Sequence, residues 1–231
     1  MPTTPHIEKH FTATAIVRDA VIGMSDGLTV PFALAAGLSA AVSSTNVIVT
    51  AGFAEIAAGA IAMGLGGFLA AKTDAQHYES EAAREGHEID HMRETEIHEI
   101  EQLLRGYGLE GEPLESIVGA ISRDRERWID FMMRFELGLE RPDPRRALTS
   151  AMTIGSAYVV GGLVPLFPYM TTSNIQTALW ISVLTTGGAL LCFGAAKGHF
   201  TGVSPIKAAF QTLLVGGLAA AAAFGLAHAL G

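Results

Sequence analysis

The sequence contains very little cysteine and, over most of its length, few charged residues. Cys192 is the only cysteine among 231 residues, which excludes an internal disulfide framework and a cysteine-based zinc cluster. Outside residues 72–146 the charged side chains are few: Glu8, Lys9, Arg18, Asp19, Asp26, Glu55, Lys197 and Lys207. The formal net charge of −8 therefore falls almost wholly within residues 72–146, and this acidic balance argues against nucleic acid as a partner.

Two further absences narrow the fold class and the chemistry. No segment alternates apolar and polar residues as a strand does, so we expect an all-α protein. The chain also has no nucleophile elbow, P-loop or dinucleotide-binding fingerprint. The glycines of residues 64–67 lie inside an apolar run and have no phosphate-binding context.

Five long apolar runs are present, and a bilayer core takes about 20 apolar residues to cross. They cover residues 14–41, 47–71, 148–169, 177–196 and 206–230. We therefore expect an all-α membrane protein with five transmembrane helices. Its organisation would be an N-terminal segment with the first two helices (1–71), a charged insert (72–146) and the last three helices (147–231).

The basic residues indicate the orientation of these helices. The connections at residues 43–46 and 171–174 are short and uncharged. The opposite ends of the spans carry the basic residues Lys72, Arg141, Arg145, Arg146, Lys197 and Lys207. Because Lys and Arg favour the cytoplasmic side, we expect the N-terminus and the insert to be cytoplasmic.

The insert has the composition of a helical domain. Residues 74–107 are rich in Glu, Ala, Arg, His and Leu without proline, and Gly106 and Gly108 mark the end of a helix there. Pro113 suits the first turn of a second helix that ends near Ser122. A third helix is expected over residues 124–139, before the prolines at 142 and 144. We thus predict a three-helix insert.

Two carboxylates inside the apolar runs are the strongest functional signal. An acid in hydrocarbon costs several kcal/mol, so Asp26 and Glu55 mark a functional site. Glu55 and Met63 are eight residues apart and share a helix face, and a carboxylate with a thioether suits a borderline metal such as Fe²⁺. The same acids can carry protons, because burial raises a carboxyl pKa. The alternative is structural: each acid is protonated against a neighbouring helix, and Met63 fills the core.

The insert offers a second set of metal ligands. The pairs Glu85–Glu88 and Glu96–Glu99 each share a helix face, but on one straight helix they differ in height by about 16 Å. Either two metal sites or a bend near residues 92–94 is therefore needed. A third group of donors follows on the last predicted helix: Met132, Met133 and Glu136. The histidines can also bind metal but rank below the glutamates: His77, His87, His91 and His98. The alternative is a solvated acidic helix with Glu–Arg pairs.

Long motifs in the chain resemble the vacuolar iron transporter family. They read DGLTVPFALAAGLS (26–39), GFAEIAAGAIAMGLGGFLAAKTDAQHY (52–78), WIDFMMRFELGLERPDPRRALTSA (128–151), GGLVPLFPYM (161–170) and KGHFTG (197–202). The resemblance implies a five-span homodimer that exports Fe²⁺ from the cytosol in exchange for protons. It places the transport pathway on Asp26, Glu55 and Met63. It places the cytoplasmic metal ligands on Glu85, Glu88, Glu96, Glu99, Met132, Met133 and Glu136.

The resulting hypothesis is a secondary transporter and not an enzyme. It would move Fe²⁺, with Mn²⁺ or related ions, and would require no cofactor; Fe²⁺, Mn²⁺, Co²⁺ or Zn²⁺ would bind in the insert. The membrane would be vacuolar in a eukaryote and the plasma membrane in a prokaryote. Two alternatives remain at this point: a membrane-tethered carboxylate-bridged iron-oxidising enzyme, for which Glu88–His91 supplies one Glu-x-x-His motif, and a metal-gated cation channel.

Overall fold

The structure is a computed structural model that describes residues 10–230, with side chains from 15 to 229. This part of the chain is helical throughout and contains no strand. Its elements are α1 (His10–Ala41), α2 (Thr45–His91), α3 (Arg93–Gly106), α4 (Gly111–Ile121), α5 (Arg125–Phe135), α6 (Arg146–Thr171), α7 (Ile175–Phe200) and α8 (Pro205–Leu230). The expectation of an all-α fold is confirmed.

Five of these helices are long and apolar enough to cross a membrane: α1, α2, α6, α7 and α8. The structure divides into two compact units. The first, here called the membrane unit, consists of the chain up to Phe68 and from Ala147 onward. The second, the insert, consists of Leu69–Arg146. The five predicted spans are therefore present as helices.

The core of the membrane unit is built from small and branched apolar side chains. Ala35 of α1, Ile48 and Ile56 of α2, Leu166 of α6 and Ala178 of α7 belong to one buried cluster. Small residues let helices approach closely, which is how transmembrane helices gain packing energy in the absence of a hydrophobic driving force. The core thus joins α1, α2, α6 and α7 around a single contact region.

Two polar contacts also hold the membrane unit together. The Ser182 hydroxyl on α7 donates a 2.7 Å hydrogen bond to the backbone carbonyl of Pro165 on α6. Ser39 on α1 donates to its own helix at Ala35 and lies 2.9 Å from the Tyr169 hydroxyl of α6. Buried hydroxyls need such partners because water cannot reach them. Each contact therefore fixes the packing of one helix against another.

The insert has its own apolar core, centred on Trp128 of α5. Trp128 and Met132 are fully buried and pack with Ile89, Ile100 and Leu114 from the neighbouring helices. The guanidinium of Arg93 lies 4.8 Å from the centroid of the Trp128 ring, a cation–π contact. Asp124 caps the N-terminus of helix α5, because its side chain accepts hydrogen bonds from the backbone N–H groups of residues 126 and 127.

The helices of the insert differ from the prediction in three ways. The second span does not end near residue 71 but continues as one helix to His91. The expected helix over 74–107 is interrupted at Met92, whose backbone leaves the helical region (φ −127°, ψ 36°). The last helix ends at Phe135 and not at 139, because Gly138 adopts a positive φ of 65° that terminates it. The break at Met92 corresponds to the second of the two alternatives that the sequence left open, a bend near residues 92–94.

Candidate metal pathway and acidic cluster

Glu55, on the membrane-spanning part of α2, is held by a tyrosine from α6. The Tyr158 hydroxyl donates a 2.5 Å hydrogen bond to Oε1 of Glu55. The other carboxylate oxygen, Oε2, is buried and has no hydrogen-bond partner in the described part of the chain. A buried carboxylate oxygen without a partner is costly, so it is the kind of atom that a proton or a cation would satisfy.

Asp26, on α1, belongs to the same electrostatic environment. Its side chain is half-buried and close enough to the Tyr158 hydroxyl to interact with it electrostatically. Tyr158 therefore connects the two acids that the sequence singled out, although they come from different helices. Glu55 is hydrogen-bonded to that hydroxyl, and Asp26 of a second helix interacts with it electrostatically.

Two glycines make room for Tyr158. Gly59, one turn after Glu55, faces the Tyr158 hydroxyl and ring, so that a side-chain carbon at residue 59 would overlap them. Gly27, next to Asp26, lies against the Tyr158 backbone in the same way. Their role is close approach, since neither has a positive φ. Met63, on the Glu55 face of α2, is half-buried.

Tyr158 was not among the residues predicted from the sequence. Its partner Glu55 lies 103 positions earlier, and no spacing rule links residues so far apart. The available signal was a hydroxyl-bearing aromatic in an apolar helix, where a buried Tyr usually needs a polar partner. That signal identifies Tyr158 as polar but not which acid it binds.

In the insert, the break at Met92 separates two glutamates that are both buried. Glu85, on α2, is 1% exposed, and Glu96, on α3, is 3% exposed. Burial raises the pKa of Glu85 to about 7, with further contributions from Glu136, Glu88 and Glu99. Burial likewise raises the pKa of Glu96 to about 7, followed by the charge of Glu99. Glu136, at the end of α5, also has its pKa raised by burial and by Glu99.

These mutual effects mean that the five predicted glutamates share one electrostatic environment, here called the acidic cluster: Glu85, Glu88, Glu96, Glu99 and Glu136. Arg84 is its counter-ion, with nitrogen–oxygen distances of 3.1 Å to Glu85 and 3.0 Å to Glu88. Oε2 of Glu96 is buried and has no partner in the described residues. The cluster therefore has more negative charge than Arg84 balances.

The acidic cluster is not assembled as a ready metal site. Among residues whose placement is described, no three His, Cys, Asp or Glu side chains converge closely enough to hold an ion. Arg84 occupies both carboxylate oxygens of Glu88, at 3.1 and 3.0 Å. What the cluster can do chemically in this form is attract cations and hold protons near neutral pH.

The two predicted methionines lie in different surroundings. Met132 is part of the apolar core around Trp128. Met133 is 1% exposed but lies outside that core. A thioether that is buried without contributing to the apolar core is the better candidate for a metal ligand. The structure thus places Met132 and Met133 in different surroundings, a difference that the sequence alone did not reveal.

Comparisons with known proteins identify the family to which this chain belongs. Residues 17–228 match the model of the VIT family. Vacuolar iron transporter 1 of Arabidopsis thaliana is 56% identical over 222 residues, 96% of this chain and 89% of its own length. Vacuolar iron transporter 2 of Oryza sativa subsp. japonica is 57% identical over 225 residues, 97% of this chain and 92% of its own length.

A more distant relative also matches nearly the whole of this chain. Protein CCC1 of Saccharomyces cerevisiae is 38% identical over 224 residues, which is 94% of this chain and 69% of that protein. The plant relatives carry the names of transporters, in agreement with the expectation that the chain is not an enzyme. The family model and the relatives each span more than nine-tenths of the sequence, and we conclude that the chain belongs to the VIT family.

Proposed function

We propose that this protein is a proton-coupled antiporter that exports Fe²⁺ from the cytosol. The supporting observation is the Glu55–Tyr158 hydrogen bond, which leaves Oε2 of Glu55 buried and without a partner. Oε2 is thus available to a proton in one state and to a metal ion in the other. Alternation of Glu55 and Asp26 between protons and metal would couple the two flows.

Selection among metal ions would rest on the pairing of hard and soft donors. Carboxylate oxygens alone suit Mg²⁺ and Ca²⁺, whereas a thioether favours softer transition metals. Met63 shares a face of α2 with Glu55 and is half-buried. We propose that Met63 biases the pathway toward Fe²⁺, with Mn²⁺ as a further cargo.

The insert would capture metal in the cytosol. Its acidic cluster would concentrate cations. Glu85 and Glu96, each with a pKa of about 7, would exchange a proton for metal at cytosolic pH. The ligands we propose are the five glutamates with Met133 and Met132, which would close around Fe²⁺, Mn²⁺, Co²⁺ or Zn²⁺ once the ion displaces Arg84. No cofactor is required for this exchange.

We further propose that the protein acts as a homodimer. Glu55 and Met63 are only half-buried within a single chain, and a carboxylate facing hydrocarbon costs several kcal/mol. The same helix exposes Ile61, Leu65 and Leu69, each more than half exposed. A second copy packed against α2 would remove the acid from lipid, with these apolar side chains facing either the partner or the lipid tails.

The compartment follows from the relatives and from the basic residues. The relatives are named vacuolar iron transporters, and the basic ends of the spans favour the cytosol. We therefore place the N-terminus and the insert in the cytosol. Cargo would leave for the vacuole, or for the cell exterior if the host is prokaryotic.

The test is Fe²⁺ uptake into proteoliposomes with and without an imposed proton gradient, at zero membrane voltage. Antiport predicts faster uptake when the lumen is acidic. A metal-gated channel predicts an uptake rate that is the same with and without the proton gradient. The iron-oxidising enzyme predicts oxygen consumption on adding Fe²⁺, and either of these results would refute the proposal.

A further inference from the structure

Two exposed histidines stand one turn apart at the end of α2. The rings of His87 and His91 are stacked, with centroids 4.0 Å apart and an interplanar angle of 30°. Residues 87–91 read His-Glu-Ile-Asp-His, so the histidines have the i, i+4 spacing at which two imidazoles on a helix bind one metal ion.

The hydrogen bond of His91 prepares its ring for metal binding. Nδ1 of His91 lies 2.8 Å from the backbone carbonyl oxygen of His87. A carbonyl can only accept a hydrogen bond, so Nδ1 carries the proton and Nε2 of the neutral ring keeps its lone pair. Metal-binding histidines are oriented in this way by a bond from the second ring nitrogen. His91 therefore already has the tautomer that a ligand needs.

The charges around the pair also favour a cation. Asp90 interacts electrostatically with both histidines and is held by Arg125, whose guanidinium donates to it at 2.8 Å. Glu88 is held by Arg84 at 3.0 Å. Both arginines are thus paired with carboxylates, and His91 lies in the last turn of α2, where the helix dipole attracts positive charge.

We propose that His87 and His91 form a second metal site, separate from the acidic cluster, that binds one imidazole-preferring divalent ion such as Zn²⁺ or Cu²⁺. Water completes the coordination, since no third His, Cys, Asp or Glu converges there among the described residues. The motif is not that of a zinc protease, because both oxygens of Glu88 accept hydrogen bonds from Arg84. Nitrogen ligands bind Cu²⁺ far more tightly than Mn²⁺ or Fe²⁺, so we expect the ion held here to differ from the cargo.

The experiment is electron paramagnetic resonance of Cu²⁺ bound to the full-length protein in detergent, in which imidazole nitrogens give a signature that carboxylates and thioethers lack. The wild type should show two coupled nitrogens at one equivalent of Cu²⁺. The variant His87→Gln/His91→Gln should lose them, while the matched control His77→Gln/His98→Gln keeps them. Glu85→Gln/Glu96→Gln should also keep them, because the acidic cluster is a separate site.

Two results would overturn the proposal. One is a nitrogen signal that persists when both His87 and His91 are replaced. The other is a signal that disappears in Glu85→Gln/Glu96→Gln, which would make the histidines part of the acidic cluster. A large excess of Zn²⁺, which binds nitrogen ligands more weakly than Cu²⁺, should remove the two-nitrogen coupling from the wild type. None of these readouts depends on transport, so the outcome of this test is independent of whether the proposed antiport is correct.

Discussion

The Tyr158 hydroxyl donates a 2.5 Å hydrogen bond to Oε1 of Glu55 and thereby joins α6 to the acid in the membrane-spanning part of α2. The contact orients the carboxylate and leaves its second oxygen free to bind. It also links Glu55 to Asp26, which interacts electrostatically with the same tyrosine. The first two predictions concern this relationship.

Replacement of Tyr158 by phenylalanine should slow transport without unfolding the protein. The change removes only the hydroxyl, and loss of a hydrogen bond to a charged group costs about 1.5–3 kcal/mol. If that bond orients Glu55 for transport, Fe²⁺ uptake by proteoliposomes should fall at least about tenfold. The matched control is Tyr169→Phe, which loses a hydroxyl contact to Ser39 in the same unit. Equal effects of both variants would mean that Tyr158 serves packing alone.

Replacement of Gly59 by alanine should also impair transport. The added methyl group would overlap the Tyr158 hydroxyl and ring, so Tyr158 must move away from Glu55. Gly188→Ala is the control, because nothing lies near the added carbon at that position. We expect Fe²⁺ uptake to fall strongly in the first variant and to stay unchanged in the second. Normal uptake by Gly59→Ala would show that the Tyr158–Glu55 contact is dispensable.

The metal-free insert should be more stable in mild acid than in mild base. The pKa of Glu85 and of Glu96 is about 7 in the folded protein, against about 4.3 in an unfolded chain. Between these values the folded state binds more protons, so the free energy of unfolding falls as pH rises through this window. The Asp90–Arg125 pair stays ionised there, because Arg125 lowers the pKa of Asp90.

Melting can be followed at Trp128, which is fully buried in the insert, in a Trp180→Phe background. We expect a higher melting temperature at about pH 5.5 than at pH 8, in the absence of metal. Glu85→Gln/Glu96→Gln should remove most of that difference, whereas the exposed pair Glu112→Gln/Glu115→Gln should not. A difference that survives the first double substitution would place the titrating groups elsewhere.

Substitutions of Met132 and Met133 should differ in their effect on metal binding but not in their effect on stability. Met133→Leu should weaken Co²⁺ binding to the full-length protein, because it removes a buried thioether that lies outside the apolar core. Met132→Leu should weaken binding less than Met133→Leu does, since Met132 packs around Trp128 and is the weaker of the two proposed thioether ligands. Both substitutions conserve volume and should cost less than about 1.5 kcal/mol of stability. Weaker binding in Met132→Leu alone would reverse the assignment.

The spans were predictable from the sequence because they depend on local properties. An apolar run of membrane length forms a helix whatever its neighbours are, and α6, α7 and α8 lie where such runs occur. The bend at Met92 was one of two alternatives left open by the height difference between Glu85 and Glu96, and the structure decided between them. The continuity of α2 through Lys72 was not foreseen, because a change of composition does not by itself end a helix.

The features that could not be predicted from the sequence depend on tertiary packing. The partner of Glu55 is set by how α6 lies on α2, and the sequence contains no measure of that contact. Met132 and Met133 are adjacent in the chain, so only the packing of α5 distinguishes them. The pairing of Arg84 with Glu81, Glu85 and Glu88 is local instead, because all four residues lie within about two turns of α2.

The most direct test of the account records Fe²⁺ uptake and internal pH together in proteoliposomes with an acidic lumen, for the wild type and Asp26→Asn. The account predicts that protons leave as Fe²⁺ enters in the wild type, and that Asp26→Asn abolishes both flows. Wild-type uptake without proton movement would contradict antiport. Coupled flows of wild-type size in Asp26→Asn would remove Asp26 from the pathway.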